Sequence, residues 1–306
     1  MTSDDQPRIG PRIAVVTGAS SGIGKAAATA LATQGWRVIG LGRHPQRTAA
    51  AAQEIRAAAP NAQVEMIQAD LSVMAEAARA AREIASRTDR IDVLLNNAGG
   101  VNKELVLTCD GIEATFASNH LGHFVLTTRL LPLLRAAAAS AGPNSTGHNS
   151  TERGSTRIIS VSSSGHERSP GLDWSDLQRP RNFTTGGAYT NAKLANILFT
   201  RALAKRLAPD GIVAHAMHPG VVDSNFVSHA DESMQRYMAT LKDVSVTPAA
   251  GADTLVWLAT AAEPGRVTGG YYHQRAAVPA SAAAQDDAAA DRLWRESEAI
   301  VARIGI

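Results

Sequence analysis

Thr17-Gly18-Ala19-Ser20-Ser21-Gly22-Ile23-Gly24 is the stretch on which the reading of this chain turns. The apolar run Arg12 to Val16 before it reads as a short buried strand. Lys25 to Gln34 after it has helical composition. Strand, glycine turn and helix in that order is the layout that holds a dinucleotide. Gly18 permits the tight turn, Gly22 lets the backbone approach a pyrophosphate, and Gly24 lets the helix pack closely on the strand. The helix N-terminus then faces the negative charge. Ser20, Ser21 and Ile23 complete the cradle. The spacing is Gly-x3-Gly-x-Gly, not the commoner Gly-x-Gly-x-x-Gly. A glycine-rich turn with no ligand has the same look, so the rest of the chain must decide.

Outward from that turn, Trp36 to Leu41 reads as the second strand. An NAD site usually has an acid near the end of this strand, for the ribose 2′-hydroxyl. Here the strand runs into Gly42-Arg43 with no acid. A guanidinium grips a 2′-phosphate with two hydrogen bonds, so Arg43 favours NADP(H) over NAD(H). The plainer alternative is a solvated surface cation. Pro45 to Ala59 reads as a helix and Gln63 to Gln68 as the third strand, closed by Asp70-Leu71. Ser72 is placed to cap a helix running to about Arg87. Ile91 to Leu95 is the fourth strand and enters Asn96-Asn97-Ala98-Gly99; Asp110 to Ala138 is a long helical region interrupted by Pro132. Arg157 to Val161 and Ile212 to Met217 are further strands, and Gly269 to Tyr272 a last one. Between and after them, helices are expected to about Leu207, over Pro248 to Ala261, and over Asp286 to Ile304.

This alternation predicts an α/β fold: a single doubly wound Rossmann-type domain with a central parallel sheet. The domain is expected over 12–275, after a disordered leader at 1–11 and before a C-terminal extension at 276–306. Ser140 to Thr156, rich in turn formers, reads as a surface loop.

Tyr189 and Lys193 lie four apart, which on a helix stacks both on one face. An ammonium beside a phenol favours the phenolate and lowers its pKa. Together with a redox cofactor, such a pair donates and accepts a proton at a carbonyl or alcohol. The 306-residue chain is 44% apolar with net charge +2, which gives no electrostatic case for nucleic acid. No basic block or bilayer-length apolar run suggests a membrane. Cys109 is the sole cysteine, so no internal disulfide forms; a buried or partly buried thiol in a reducing cytoplasm is expected. The polar, acidic N-terminus does not read as a signal peptide, which again points to a cytoplasmic protein. His120 and His123 lack a third partner for zinc, so no metal is expected.

In their joint order, the glycine turn, Asn96-Asn97-Ala98-Gly99, Asn119, Ser162 to Ser164, Tyr189-x3-Lys193 and Pro219-Gly220 resemble the short-chain dehydrogenases/reductases. Asn119-His120-Leu121-Gly122-His123-Phe124, His218-Pro219-Gly220-Val221-Val222 and Leu293-Trp294-Arg295-Glu296 look like its retinol-dehydrogenase-like branch. The resemblance covers about residues 10 to 275 and implies roles. Tyr189 would be the acid/base. Lys193 would hold the nicotinamide ribose and depress the Tyr189 pKa. Ser163 would bond the substrate oxygen, with Ser162 and Ser164 still open, and Asn119 would support a proton relay through water. Asp70, with Leu71 beside it, would contact the adenine amine, and Asn97, Ala98 and Gly99 the adenosine side. Pro219, Gly220 and Val222 would also touch the dinucleotide, and Ser224 its carboxamide.

Two departures stand out: Ala192 replaces a common serine, and Ser163 and Tyr189 are 26 positions apart, about twice the usual family spacing. The extra piece, His166 to Thr185, reads as a flap beside the substrate site or as a structural excursion. The implied function is an NADP(H)-dependent oxidoreductase interconverting a carbonyl and an alcohol on a bulky, largely apolar small molecule. The alternatives are an NAD-dependent alcohol dehydrogenase working toward oxidation and a non-catalytic dinucleotide-binding regulator. Relatives often form a homodimer or homotetramer through the helices that hold Asn119 and Tyr189; the C-terminal extension could block that.

Overall fold

A computed structural model of the chain describes residues 10–140, 156–223, 226 and 230–306. Residues 1–9 of the expected leader, residues 141–155 of the polar loop, and Ser224 lie outside the described residues.

The apolar runs are strands because their side chains are buried on both faces. In β1 (Ile13–Thr17), Ile13 and Val15 enter one core while Ala14 and Val16 enter the other. β2 (Arg37–Gly42), β3 (Val64–Gln68), β4 (Val93–Asn96), β5 (Arg157–Val161), β6 (Val213–Met217), β7 (Tyr271–His273) and β8 (Ala276–Ala277) complete one sheet, in the order β3-β2-β1-β4-β5-β6-β7-β8. All neighbours are parallel except β7 and β8, where Tyr272 faces Ala277. The sheet is therefore mostly parallel, as expected of its centre, with β8 antiparallel at its edge. Residues 276–277 belong to that sheet.

Against the Ala14–Val16 face lie α1 (Gly22–Thr33) and α8 (Pro248–Thr260), with α2 (Pro45–Ala58) beside them. The other face carries α3 (Met74–Arg87), α5 (Gly122–Ala139), α6 (Thr185–Leu207) and α9 (Asp287–Ile304). Between them in sequence come α4 (Ala114–Phe116) and the outlying α7 (Glu232–Thr240), which buries no residue. Strand order reverses between β1 and β4. Open α/β sheets bind ligands at such a switch point, beyond the carboxyl ends of the strands.

Several local expectations change. Ser72 does not cap α3: its amide and hydroxyl both donate to Asp70 Oδ1 (2.9 and 2.7 Å). The Met74 amide that opens α3 is taken instead by Asp110 Oδ2 at 2.8 Å. The long helical region starts at Ala114, and a π-helical turn over Ala117–Leu121 interrupts it, not Pro132, which lies inside α5. Buried Leu130 and Leu134 hold α5 against the core across the proline, so packing outweighs one lost backbone bond. Cys109 is exposed, because the Leu105–Leu107 segment beside it runs over the surface. Among the described residues, no helix is long and apolar enough to cross a membrane.

Candidate active site

The glycine turn closes on itself through Thr17, which is fully buried. Thr17 Oγ accepts the amides of Asn97 (2.8 Å) and Ala98 (2.9 Å), and Asn97 Nδ2 donates to Thr17 O at 2.8 Å. The carboxyl ends of β1 and β4 are thereby locked together at the switch point. A Cβ on Gly24 would stand 2.3 Å from Gly18 O and 2.4 Å from Asn97 Nδ2, so glycine there is a requirement of this closure. Gly18 and Gly22 have φ of +70° and +53°, values that favour glycine. No acid lies in the first turn of α1, and Ser21 caps none of its amides. Those amides are left for an anion. The structure thus brings Gly18, Ser20, Ser21, Gly22, Ile23, Gly24, Asn97 and Ala98 to one place, and the fit with a dinucleotide is good.

Arg43 follows directly on β2, is exposed, and has no hydrogen-bond or ion-pair partner among the described residues. Asp70 and Leu71 lie just beyond the end of β3; Asp70 Oδ1 is occupied by Ser72. On the opposite flank, Pro219, Gly220 and Val222 follow β6, and Val222 bridges to Val246. Gly251 of α8 admits this loop: a Cβ there would meet Val222 at 2.7 Å and Ile23 at 3.5 Å. Sequence reasoning missed Gly251, which carries no local signal.

The three serines separate by their bonds. Ser162 Oγ is buried and donates to Lys193 O at 2.7 Å, and Ser164 is exposed. Ser163 Oγ accepts the Gly165 amide at 3.0 Å, which leaves its own hydrogen to donate. A Cβ on Gly165 would lie 3.3 Å from both Ser163 Oγ and Tyr189 Cε1, so the two side chains share one side of this turn. Tyr189 and Lys193 are on one face of α6, with Lys193 Nζ 5.6 Å from the phenol ring centroid. Phe226 covers the ring at 5.0 Å.

Lys193 Nζ donates to Val161 O at 3.1 Å and keeps two donors in reserve. Asn119, in the π-helical turn, donates through Nδ2 to Thr115 O (2.8 Å) and Gly100 O (3.0 Å), while its Oδ1 is buried without a partner. A Cβ on Gly99 would be 2.4 Å from that Oδ1 and 3.5 Å from Lys193 Nζ. An unused acceptor and an ammonium thus border the same spot.

Burial pushes the Tyr189 phenol above its ordinary value, and Ser163 works against that shift. Burial also brings Lys193 down to about 8. Burial is thus the largest influence on both groups.

His120 and His123 diverge. His120 Nε2 lies 2.9 Å from Ser297 Oγ, and His123 Nε2 lies 2.9 Å from Thr17 Oγ. Burial lowers them to about 3 and about 4 respectively, so both stay neutral. Neutral His123 donates from Nδ1 to Asn119 O (3.0 Å) and receives the Thr17 hydroxyl, joining the glycine turn to the π-helical turn. Among the described residues, no group of three His, Cys, Asp or Glu is placed to hold a metal ion. The expected flap, His166 to Thr185, is pinned down. Asp176 accepts from the Asn182 amide and side chain (3.1 and 3.2 Å), Asn191 Nδ2 donates to Leu177 O (2.8 Å), and Arg292 of α9 lies 4.5 Å from the Trp174 ring.

Comparison with known proteins agrees with this geometry. Residues 12–172 match the short chain dehydrogenase family model. Human retinol dehydrogenase 13 is 34% identical over 94% of this chain and 83% of its own length, and human retinol dehydrogenase 12 is 34% identical over 94% and 85%. Among solved structures, an uncharacterised protein from Mycobacterium paratuberculosis superposes with a TM-score of 0.70 at 31% identity, over 97% of this chain and 96% of that one. The Pseudomonas aeruginosa RhlG/NADP active-site complex gives 0.66 at 27% identity, over 86% and 94%. The closed glycine turn at the switch point, the Tyr189–Lys193 helix and these likenesses lead to one conclusion: the chain belongs to the short-chain dehydrogenase family, as a retinol-dehydrogenase-like oxidoreductase that uses a nicotinamide dinucleotide on a CH–OH group of a small molecule.

Proposed function

We propose that this chain is an NADP(H)-dependent oxidoreductase interconverting a carbonyl and an alcohol on a bulky, largely apolar substrate, with Tyr189 as acid/base. The observation that carries the reading is the convergence of Ser163, Tyr189, Lys193 and Asn119 beyond the carboxyl ends of β4 and β5.

When bound, the nicotinamide supplies or accepts the hydride. The chain's own residues do the rest. Ser163, whose Oγ accepts the Gly165 amide, donates its one hydrogen to the substrate oxygen. Tyr189 gives that oxygen a proton in reduction and takes one in oxidation. Lys193 spends one donor on Val161 O, which fixes the ammonium, and would offer the others to the nicotinamide ribose and to water. Unpartnered Asn119 Oδ1 and Lys193 Nζ suit a bridging water that returns the Tyr189 proton to solvent. Val222, beyond β6, would line the dinucleotide, with Ser224 and Pro219-Gly220 in the same segment.

Arg43 supports NADP(H): it follows directly on β2, is exposed, and spends its charge on nothing else described. RhlG, similar in structure, is a complex with NADP. The relatives' name, retinol dehydrogenase, supports an apolar substrate, as does Phe226 against Tyr189. Self-association across the exterior of α6 would have to displace α9, which is bonded to it through Arg201–Asp287 (2.6 Å) and Arg206–Asp291 (2.9 Å).

The test is NADPH consumption with bulky apolar aldehydes and ketones, by wild type and Tyr189→Phe. Reduction by the wild type and its loss in the variant, with dinucleotide binding kept, supports the reading. Equal rates in both refute it.

A further inference from the structure

The C-terminal segment reaches the active site through a histidine that the chemistry above does not use. His166, three residues after Ser163, is fully buried. Its Nε2 lies 3.1 Å from the Ser281 amide nitrogen. A backbone N–H only donates, so Nε2 is the bare nitrogen and Nδ1 carries the hydrogen. That hydrogen goes to Ser163 O at 2.7 Å, and the His166 amide reaches the same oxygen at 3.1 Å. The ring stands edge-on to Tyr271, with centroids 5.1 Å apart.

A second tie runs in parallel. His120, next to Asn119, lies 2.9 Å from Ser297 Oγ of α9, both fully buried. Trp294, one turn earlier on α9, packs on Phe124 at 5.0 Å and on Phe199 at 5.9 Å. The segment after β8 is therefore bonded to the turn that carries Ser163 and to the turn that carries Asn119.

We propose that His166 is a positioning residue for carbonyl reduction, holding the Ser163 peptide in place by bridging it to the Ser281 amide of the C-terminal segment. The proposal rests on the function proposed above. The Ser163 side chain is aimed by its backbone, and two donors from His166 fix the carbonyl that defines the following peptide plane. Removing the Ser281 donor leaves the ring held at one nitrogen only. Proton and hydride transfer are sensitive to misplacement well below 1 Å, so turnover is what suffers. Dinucleotide binding does not, because the glycine turn is closed independently by Thr17, Asn97 and Ala98.

The experiment compares Ser281→Pro with Ser281→Ala. Ser281 has φ −59°, which proline adopts; the proline Cδ takes the place of the amide hydrogen and displaces the His166 ring, so the variant breaks the bridge while keeping φ at 281. Both variants lose the hydroxyl that accepts from Ala284, so that loss cancels in the comparison. The expected result is a kcat at least about ten-fold lower in Ser281→Pro than in Ser281→Ala, with KM and NADPH Kd within about two-fold. Equal kcat in the two overturns the proposal, as does a loss expressed in Kd alone. Because the proline Cδ also displaces the ring, His166→Asn and His166→Phe are compared as well. Asparagine keeps a donor toward Ser163 O and phenylalanine keeps only the ring. A kcat several-fold higher for asparagine supports the positioning role, and no difference removes it. A wild type that reduces no carbonyl defeats the functional reading instead, which separates the two failures.

Discussion

Replacing Lys193 by methionine should abolish turnover and make the protein more stable. Lys193 is 5% exposed, and burial lowers its pKa from 10.5 to about 8. At about 1.4 kcal/mol per unit, holding the charged form inside costs roughly 3 kcal/mol at neutral pH. The charge is partly compensated by the bond to Val161 O, worth about 1–2 kcal/mol. That oxygen is not orphaned by the change, because Asn196 Nδ2 also donates to it at 3.1 Å. Methionine fills a similar volume, so the net gain is on the order of 1–2 kcal/mol. That corresponds to a rise of roughly 2–3 °C in Tm for a chain of this size. The pH dependence follows from the direction of the shift. The unfolded lysine keeps its proton up to 10.5 and the folded one only to about 8, so between these values the unfolded state binds more protons. Wild-type stability therefore gains as pH rises through that window. The advantage of methionine is fully present below about pH 8 and fades toward pH 10.5. Thermal unfolding of both proteins without cofactor, near pH 7 and near pH 10, with turnover measured in parallel, reads all of this. A lower Tm for the variant near neutral pH, or an advantage that does not change with pH, would refute the reasoning. Lys193 would then be a structural residue and not a charge retained for function at a cost in stability.

Three further outcomes are expected. Ser163→Ala should lower kcat by about 100-fold or more, whereas exposed Ser164→Ala should change it little; a similar loss in both would mean the register of the three serines is wrong. Arg43→Asp should move preference from NADPH toward NADH in a competition titration, and an unchanged ratio would make Arg43 a plain surface charge. Thr17→Val leaves the Ala98 amide without its acceptor, takes one of two acceptors from the Asn97 amide and removes the donor to His123 Nε2, so denaturant unfolding should show a loss of roughly 2–3 kcal/mol together with weaker dinucleotide binding.

What was legible in the sequence was local. The runs that became β1, β2, β5 and β6 are mostly apolar because parallel strands are covered on both faces, and the glycine turn marks itself by composition. Tyr189 and Lys193 declare themselves by helical spacing. What stayed hidden depends on residues far apart in the chain. The cap of α3 comes from Asp110, 36 positions away, so Ser72 looked like the cap because it was near. The tasks of Ser162 and Ser163 differ only through Lys193 O and the Gly165 amide. The histidines reach still further: His123 to Thr17 across 106 positions, His166 to Ser281 across 115, and His120 to Ser297 across 177. Composition carries no trace of such pairings. The π-helical turn was missed as well; from it Asn119 Nδ2 donates to Gly100 O, 19 positions away.

The most direct test of the account is a titration of the purified protein with NADPH and with NADH, followed by nicotinamide fluorescence and then by turnover with an apolar aldehyde. The account predicts tight NADPH, weak NADH, and turnover that consumes NADPH. Tight NADH with weak NADPH would contradict the role given to Arg43, and binding of neither would contradict the enzyme itself.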